Sequence, residues 1–265
     1  MTLRAADIAF SYEPSRPVLT GVTAEFPAGR ITAVIGPNGA GKSTLLRLLA
    51  GVAVPSRGVV TMGARPILGA LSRQERARRV ALIPQHSEVA FPFAIREVVR
   101  MGLYAAERSD GVAIVEGALR QVGLSDRADD PFGTLSAGQR QRVTLARAMA
   151  QLDLTGESDG AGKALLADEP VSAMDPAHAL HAMEMLRDLA LRGLCVVAVL
   201  HDLALVLRFA SRVAVLGPTG VLVAEGPTET TLEPEALAKV FGVRFEPLMA
   251  GGRVVALSPQ SATPV

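Results

Sequence analysis

Ile31-Thr-Ala-Val-Ile-Gly-Pro-Asn-Gly-Ala-Gly-Lys-Ser-Thr-Leu-Leu-Arg-Leu-Leu-Ala50 is the stretch whose reading decides the fold. Residues 31–35 form an apolar run of strand length, and residues 43–50 carry apolar positions at helical spacing. Between them, Gly36-Pro-Asn-Gly-Ala-Gly-Lys-Ser43 fits the phosphate-loop pattern G-x-x-x-x-G-K-[ST]. Gly36, Gly39 and Gly41 allow the backbone to turn so that successive N–H groups converge on phosphate oxygens. The start of the following helix adds a partial positive charge at the same point. The candidate nucleotide-binding residues are therefore Gly36, Pro37, Asn38, Gly39, Ala40, Gly41, Lys42, Ser43 and Thr44. Lys42 is expected to reach the β- and γ-phosphates of a nucleoside triphosphate, and the Ser43 hydroxyl to ligate Mg2+. A plain glycine-rich turn would not need the strand, lysine, hydroxyl and helix in this register.

The 265 residues allow one large domain or two small ones, and 49% of them are hydrophobic, which supports a buried core. With 27 basic and 26 acidic residues the net charge is +1, so composition gives no case for a nucleic-acid partner. The N-terminus lacks the apolar segment of a secretory signal, and no apolar run approaches the ~20 residues that cross a bilayer. The chain is expected in the cytosol or peripheral on the cytosolic face of a membrane. Cys195 is the sole cysteine and sits in the strand-like run Leu194–Leu200, where an inert buried thiol is expected.

Along the chain, Leu3–Glu25 and Gly58–Met62 read as strands. Leu71–Val80, Ile95–Gly102, Val112–Val122 and Gln139–Gln151 read as helices. Strand-like runs at Ala164–Ala167, Leu194–Leu200, Arg212–Leu216 and Val221–Ala224 follow, with helices at Pro176–Arg192 and Leu203–Phe209 between them. That alternation implies a parallel sheet covered on both faces.

An apolar strand ending in Asp168-Glu169-Pro170 delivers carboxylates to the sheet edge where the phosphate loop also lies. Asp168 is a candidate Mg2+ ligand through its water shell, and Glu169 is the general-base candidate for an attacking water. His178 and His181, three apart on a helix, have no further ligand in view and are read as ordinary surface or packing histidines. Arg73, Arg76, Arg78 and Arg79, with Glu75 interleaved, are read as a solvated helix face.

Leu135-Ser-Ala-Gly-Gln-Arg-Gln-Arg142 resembles the signature motif of the ATP-binding-cassette ATPases, usually Leu-Ser-Gly-Gly-Gln, with Ala137 in place of the first glycine. The resemblance extends over nearly the whole chain. It implies a RecA-like P-loop NTPase core of α/β class, an N-terminal antiparallel β subdomain and an inserted α-helical subdomain. On that plan residues 1–250 form one domain: core and β subdomain at 1–85 and 163–225, helical subdomain at 86–152, a flexible insertion at 153–162, and a C-terminal helix at 226–250. Residues 251–265 are expected to be a loose tail. The resemblance further implies that Tyr12 stacks on adenine, that Gln85 touches Mg2+ and the attacking water, and that His201 contacts the γ-phosphate. Ser136, Ala137, Gly138 and Gln139 would close over the phosphate loop of a second copy, with Asp175 (in Ser172-Ala-Met-Asp175) also at that interface. A head-to-tail dimer with two composite sites follows.

Ala94–Gly102, His201–Leu216 and Glu233–Val243 are similar to the ATPase subunits of importers for iron chelates, haem and cobalamin. The insertion before the Asp168 strand is similar to that of the hemin-import members. The implied function is energy coupling in hemin import, with siderophore iron or cobalamin as alternative cargoes and soluble iron–sulfur assembly as a rival role. The implied partners are a transmembrane permease dimer, for whose loop Val89-Ala-Phe-Pro-Phe93 offers an apolar surface, and a periplasmic binding protein. The implied place is the cytoplasmic face of the inner membrane.

Overall fold

The computed structural model describes residues 1–85, 92–104, 111–155 and 159–260. Two long alternating runs open it: β1 (Thr2–Glu13) and β2 (Arg16–Pro27) pair antiparallel and turn Leu3, Ala5, Leu19, Val22, Ala24 and Phe26 inward. The chain then enters β3 (Arg30–Ile35) and α1 (Lys42–Leu49) before returning as β4 (Arg57–Met62) and β5 (Arg65–Pro66). β2-β1-β4-β5 is one four-stranded antiparallel sheet.

Ser72 begins α2 (Arg73–Arg79) with a reciprocal capping box to Glu75. No residue of α2 is buried, so its arginines form the solvated face expected of them. The helix is shorter than the Leu71–Val80 reading. Val80 instead opens a strand, β6 (Val80–Ile83), which periodicity alone did not reveal. Next come α3 (Ile95–Tyr104), α4 (Gly111–Gln121) and α5 (Ala137–Leu152), which pack on one another. Most of the proposed permease surface, residues 89–91, lies outside the described residues.

The rest alternates as β7 (Ala164–Asp168), α6 (Pro176–Leu191), β8 (Cys195–Val199), α7 (Leu203–Phe209), β9 (Arg212–Leu216) and β10 (Leu222–Pro227). The main sheet runs β10-β9-β3-β8-β7-β6. Five of these strands are parallel, but β10 pairs antiparallel with β9 through the tight Gly217–Gly220 turn, so the sheet is mixed rather than wholly parallel. Both faces are buried. Ile31, Ala33, Leu165, Ala167, Val196 and Ala198 join the core under the helices; Val34, Leu166, Val197 and Val199 join the core under the β subdomain.

Two expectations for the C-terminus are corrected. After α8 (Thr228–Thr231), the C-terminal helix α9 covers only Pro234–Phe241, because Gly242 at φ 72 takes the left-handed cap that ends it. β11 (Arg244–Ala250) and β12 (Arg253–Gln260) then form a hairpin around Gly251-Gly252, at φ 57 and 75. The tail is therefore a strand as far as Gln260, with Leu257 buried in the main core; residues 261–265 lie outside the described residues. The insertion is anchored on its far side, where the Gly160 N–H donates to the Arg192 carbonyl at 2.9 Å, while residues 156–158 lie outside the described residues.

Candidate active site

Register places the site. Val34 on β3 pairs with Val199 on β8, which pairs with Asp168 on β7, and Ala167 pairs with Ile83 on β6. Four adjacent parallel strands thus end in one row, and the residues just beyond them are Gly36, His201, Glu169 and Gln85. This is the carboxyl edge where open α/β sheets bind ligands.

At the end of β3 the phosphate loop needs its glycines for stated reasons. A Cβ on Gly36 would lie 2.4 Å from the Leu216 carbonyl oxygen, and one on Gly41, at φ 91, would lie 2.7 Å from Leu19. Gly41 also caps α1 without a side chain, so the first N–H groups of the helix are not taken up by a capping side chain. Lys42 is buried, and its Nζ donates to the carbonyls of Gly36 at 2.8 Å and Pro37 at 2.9 Å, arching back over the loop. Burial lowers the pKa of its amine, opposed by the nearby charges of Glu169 and Asp168.

Opposite, Glu169 Oε1 accepts from Gln85 Nε2 at 2.8 Å and lies 2.8 Å from His201 Nε2. Three residues from three separate strand ends therefore meet at one carboxylate oxygen. Asn38, Gly39, Gly41, Lys42, Ser43 and Thr44 face them across a cleft of about 640 Å3, also lined by Val18. Asp168 is buried and close enough to Lys42 to perturb its amine. The Ser43 hydroxyl, the Asp168 carboxylate and the Gln85 amide are oxygen donors of the hard kind that Mg2+ takes, and a buried carboxylate whose charge reaches Lys42 suits such a cation.

Tyr12 lies near the end of β1 with its ring exposed, T-shaped against Phe10, and its hydroxyl 3.3 Å from Thr44 Oγ1. That bond to Thr44, more than the neighbouring Arg47, lowers the phenol's pKa. Ser136 caps α5: its Oγ accepts from Gln139 N–H at 3.2 Å, and Gln139 Oε1 accepts from Ser136 N–H at 3.0 Å. Ser136, Ala137, Gly138 and Gln139 do not line the cleft of their own chain. Asp175 caps α6, accepting from His178 N–H at 3.0 Å and meeting His178 Nδ1 at 2.6 Å. His181 Nε2 lies 3.3 Å from the Gln121 carbonyl, so the two histidines point to different partners. Among the described residues no His, Cys, Asp and Glu cluster could hold a metal ion by itself.

Sequence reasoning named the segments that contain Gln141 and Ser172 but gave neither residue a role. Gln141 Nε2 donates to the Glu169 carbonyl and its Oε1 accepts from Ala173 N–H at 3.2 Å; Ser172 Oγ donates to the Glu169 carbonyl at 3.2 Å. Neither residue type carries a spacing signal, and only the contact reveals them.

A family model described as ABC transporter matches residues 19–172. The chain is 38% identical over 239 residues to the hemin import ATP-binding protein HmuV of Rhodopseudomonas palustris (strain BisA53), covering 90% of this chain and 87% of that one. To the protein of the same name from Rhizobium meliloti (strain 1021) it is 37% identical over 264 residues, covering 98% and 99%. Among solved structures, an ABC transporter in an inward-facing conformation superposes with a TM-score of 0.78 at 25% identity, covering 98% of this chain and 97% of that one.

Proposed function

The chain belongs to the ABC transporter family, and from that premise we propose that it is the ATP-hydrolysing subunit of a hemin importer. The observation that carries the ATPase reading is the meeting of Gln85, Glu169 and His201 at one carboxylate oxygen, across a cleft from Lys42 and the phosphate loop. The cargo reading is supported by relatives named for hemin import that align over 90% and 98% of the chain.

In this reading the loop N–H groups and the start of α1 bind the phosphates of ATP, and Lys42 Nζ exchanges carbonyl partners for phosphate oxygens. Ser43, with Asp168 and Gln85, would hold a Mg2+ ion, which neutralises charge on the β- and γ-oxygens when bound. Glu169 takes the proton of the attacking water, and His201, 2.8 Å away, fixes the carboxylate and faces the transferred phosphoryl group. Positioning and electrostatics do the catalysis, with no covalent intermediate. Tyr12 offers its exposed ring face to adenine. Ser136 and Gln139 trade their capping bonds for the γ-phosphate of a second copy, and Asp175 lies at the same interface.

The subunit would sit at the cytoplasmic face of the inner membrane, docked on a permease dimer fed by a periplasmic binding protein. Glu169→Gln keeps the shape of the base and removes its basicity. Steady-state hydrolysis should fall by about 10²–10⁴-fold while ATP affinity stays within a few-fold. Turnover at the parental rate would remove Glu169 from its assigned role. For cargo, ATP-driven uptake of hemin into vesicles carrying the assembled complex, against a siderophore and cobalamin, separates the candidates.

A further inference from the structure

Gln141 lies on α5, little more than one turn past the Ser136 cap, yet its side chain leaves that helix to hold the segment after Asp168. The two ends of its amide are spent on two peptide groups four residues apart, the Glu169 carbonyl and the Ala173 N–H. A second contact lies beside it. A Cβ on Gly138 would stand 2.8 Å from the Ala173 carbonyl oxygen, so the loop backbone rides directly against the first turn of α5.

The residue at the end of this tie is conformationally unusual. Glu169 has φ 53, a left-handed backbone that side-chain-bearing residues adopt rarely and only when the surroundings impose it. The surroundings here can be named. The Glu169 N–H donates to the Val199 carbonyl at 3.2 Å, and its carbonyl also receives the Ser172 N–H at 3.4 Å and the Ser172 hydroxyl at 3.2 Å. The peptide units that aim the carboxylate are thus fixed by β8 on one side and by α5, through Gln141, on the other.

We propose that Gln141 is a positioning residue that ties the signature helix of a subunit to the general base of that same subunit. The inference rests on the head-to-tail reading above, in which α5 serves the neighbour's nucleotide while Glu169 serves its own. When α5 shifts to engage the neighbour's ATP, the amide passes that shift to the Glu169 backbone, where even a displacement of about 1 Å alters rate. Each site then becomes competent in response to occupancy of the other, and cooperativity in ATP arises from one side chain.

The test uses the full chain assembled with its permease, carrying Gln141→Ala or Gln141→Glu. The glutamate retains an acceptor for Ala173 N–H but has no donor for the Glu169 carbonyl. Both variants should lower kcat by about tenfold with KM within about twofold, and the Hill coefficient for ATP should fall toward about one. Mg·ATP-driven dimerisation of Gln141→Ala, measured in a Glu169→Gln background, should persist. Three results would overturn the inference: an unchanged kcat with only a lowered melting temperature, a raised KM at constant kcat, or parental turnover and cooperativity in Gln141→Glu. If Glu169→Gln with Gln141 intact never dimerises, the head-to-tail reading falls and takes this inference with it. Dimers with unaltered kinetics sink the inference alone.

Discussion

Lys42 carries two opposed influences. Its burial disfavours the ammonium, and the charges of Glu169 and Asp168 restore part of that loss. Two neutral carbonyls hold the amine now, and phosphate oxygens, which carry the opposite charge, attract the ammonium more strongly than neutral carbonyls do. Cys195 shows burial prevailing over weaker opposing influences, a backbone hydrogen bond at Leu3 and the charge of the N-terminus. Its Sγ donates to the Phe26 carbonyl at 3.2 Å, and desolvation pushes the thiol from 9.0 to about 12. The folded chain therefore keeps this proton at a pH where the unfolded chain releases it. The thiol's contribution is intact below the free-thiol range and is lost as pH rises from there toward about 12. At pH 8, iodoacetamide should leave the native protein unlabelled and modify Cys195 in denaturant, as read by mass spectrometry; rapid native labelling would contradict the burial. Its inertness was legible from the apolar run around it. So were Lys42, Asp168 and Glu169, because each sits at a fixed offset from an apolar strand end, whereas Gln85 and His201 were reached only through the family resemblance. Gln141 was not, since a glutamine within a helix announces nothing until its partners are seen.

Among the elements, periodicity concealed the β11–β12 hairpin and β6. Pro247 interrupts β11, and proline argues against a strand unless that strand is an edge, which both members of a hairpin are. The Gly251-Gly252 turn was the available signal. β6 was hidden differently: it is four residues long and follows α2 without a break, so Val80 read as the helix's last apolar position. The hairpin matters to the site. Phe245 and Leu257, together with Phe241, wall a cavity of about 410 Å3 whose other side is Ile35, Gly36 and the turn Leu200–Ala204 that carries His201. Phe241 and Phe245 meet edge to face at 5.9 Å. Leu257→Ala should cost about 2–5 kcal/mol in urea unfolding, whereas Leu248→Ala, on the exposed face, should stay within about 0.5 kcal/mol. Equal effects at both positions would mean that the hairpin is not docked as described.

For the molecule as a whole, the decisive fact is a separation. The chain has one cleft lined by a phosphate loop and a base, and one capped helix start at Ser136 that does not line it. A side chain buried in its own subunit's site needs no neighbour, but Ser136 and Ala137 are exposed, and so offered outward. Asp175, two residues past the loop segment that Gln141 holds, ends the same surface. Two copies related head to tail would bring each helix start over the other's cleft, an isologous contact that closes on itself and stops at two. Nucleotide would then be the main adhesive, because the γ-phosphate charge is what a helix N-terminus binds. Glu169→Gln, which should hold ATP without consuming it, should sediment as a monomer alone and as a dimer with Mg·ATP. Adding EDTA should return it to monomer, since the phosphate charges then repel without their cation; ADP should not replace ATP, because it lacks the group that both copies grip. A chain that stays monomeric under every one of these conditions would leave its exposed helix start without a purpose in catalysis.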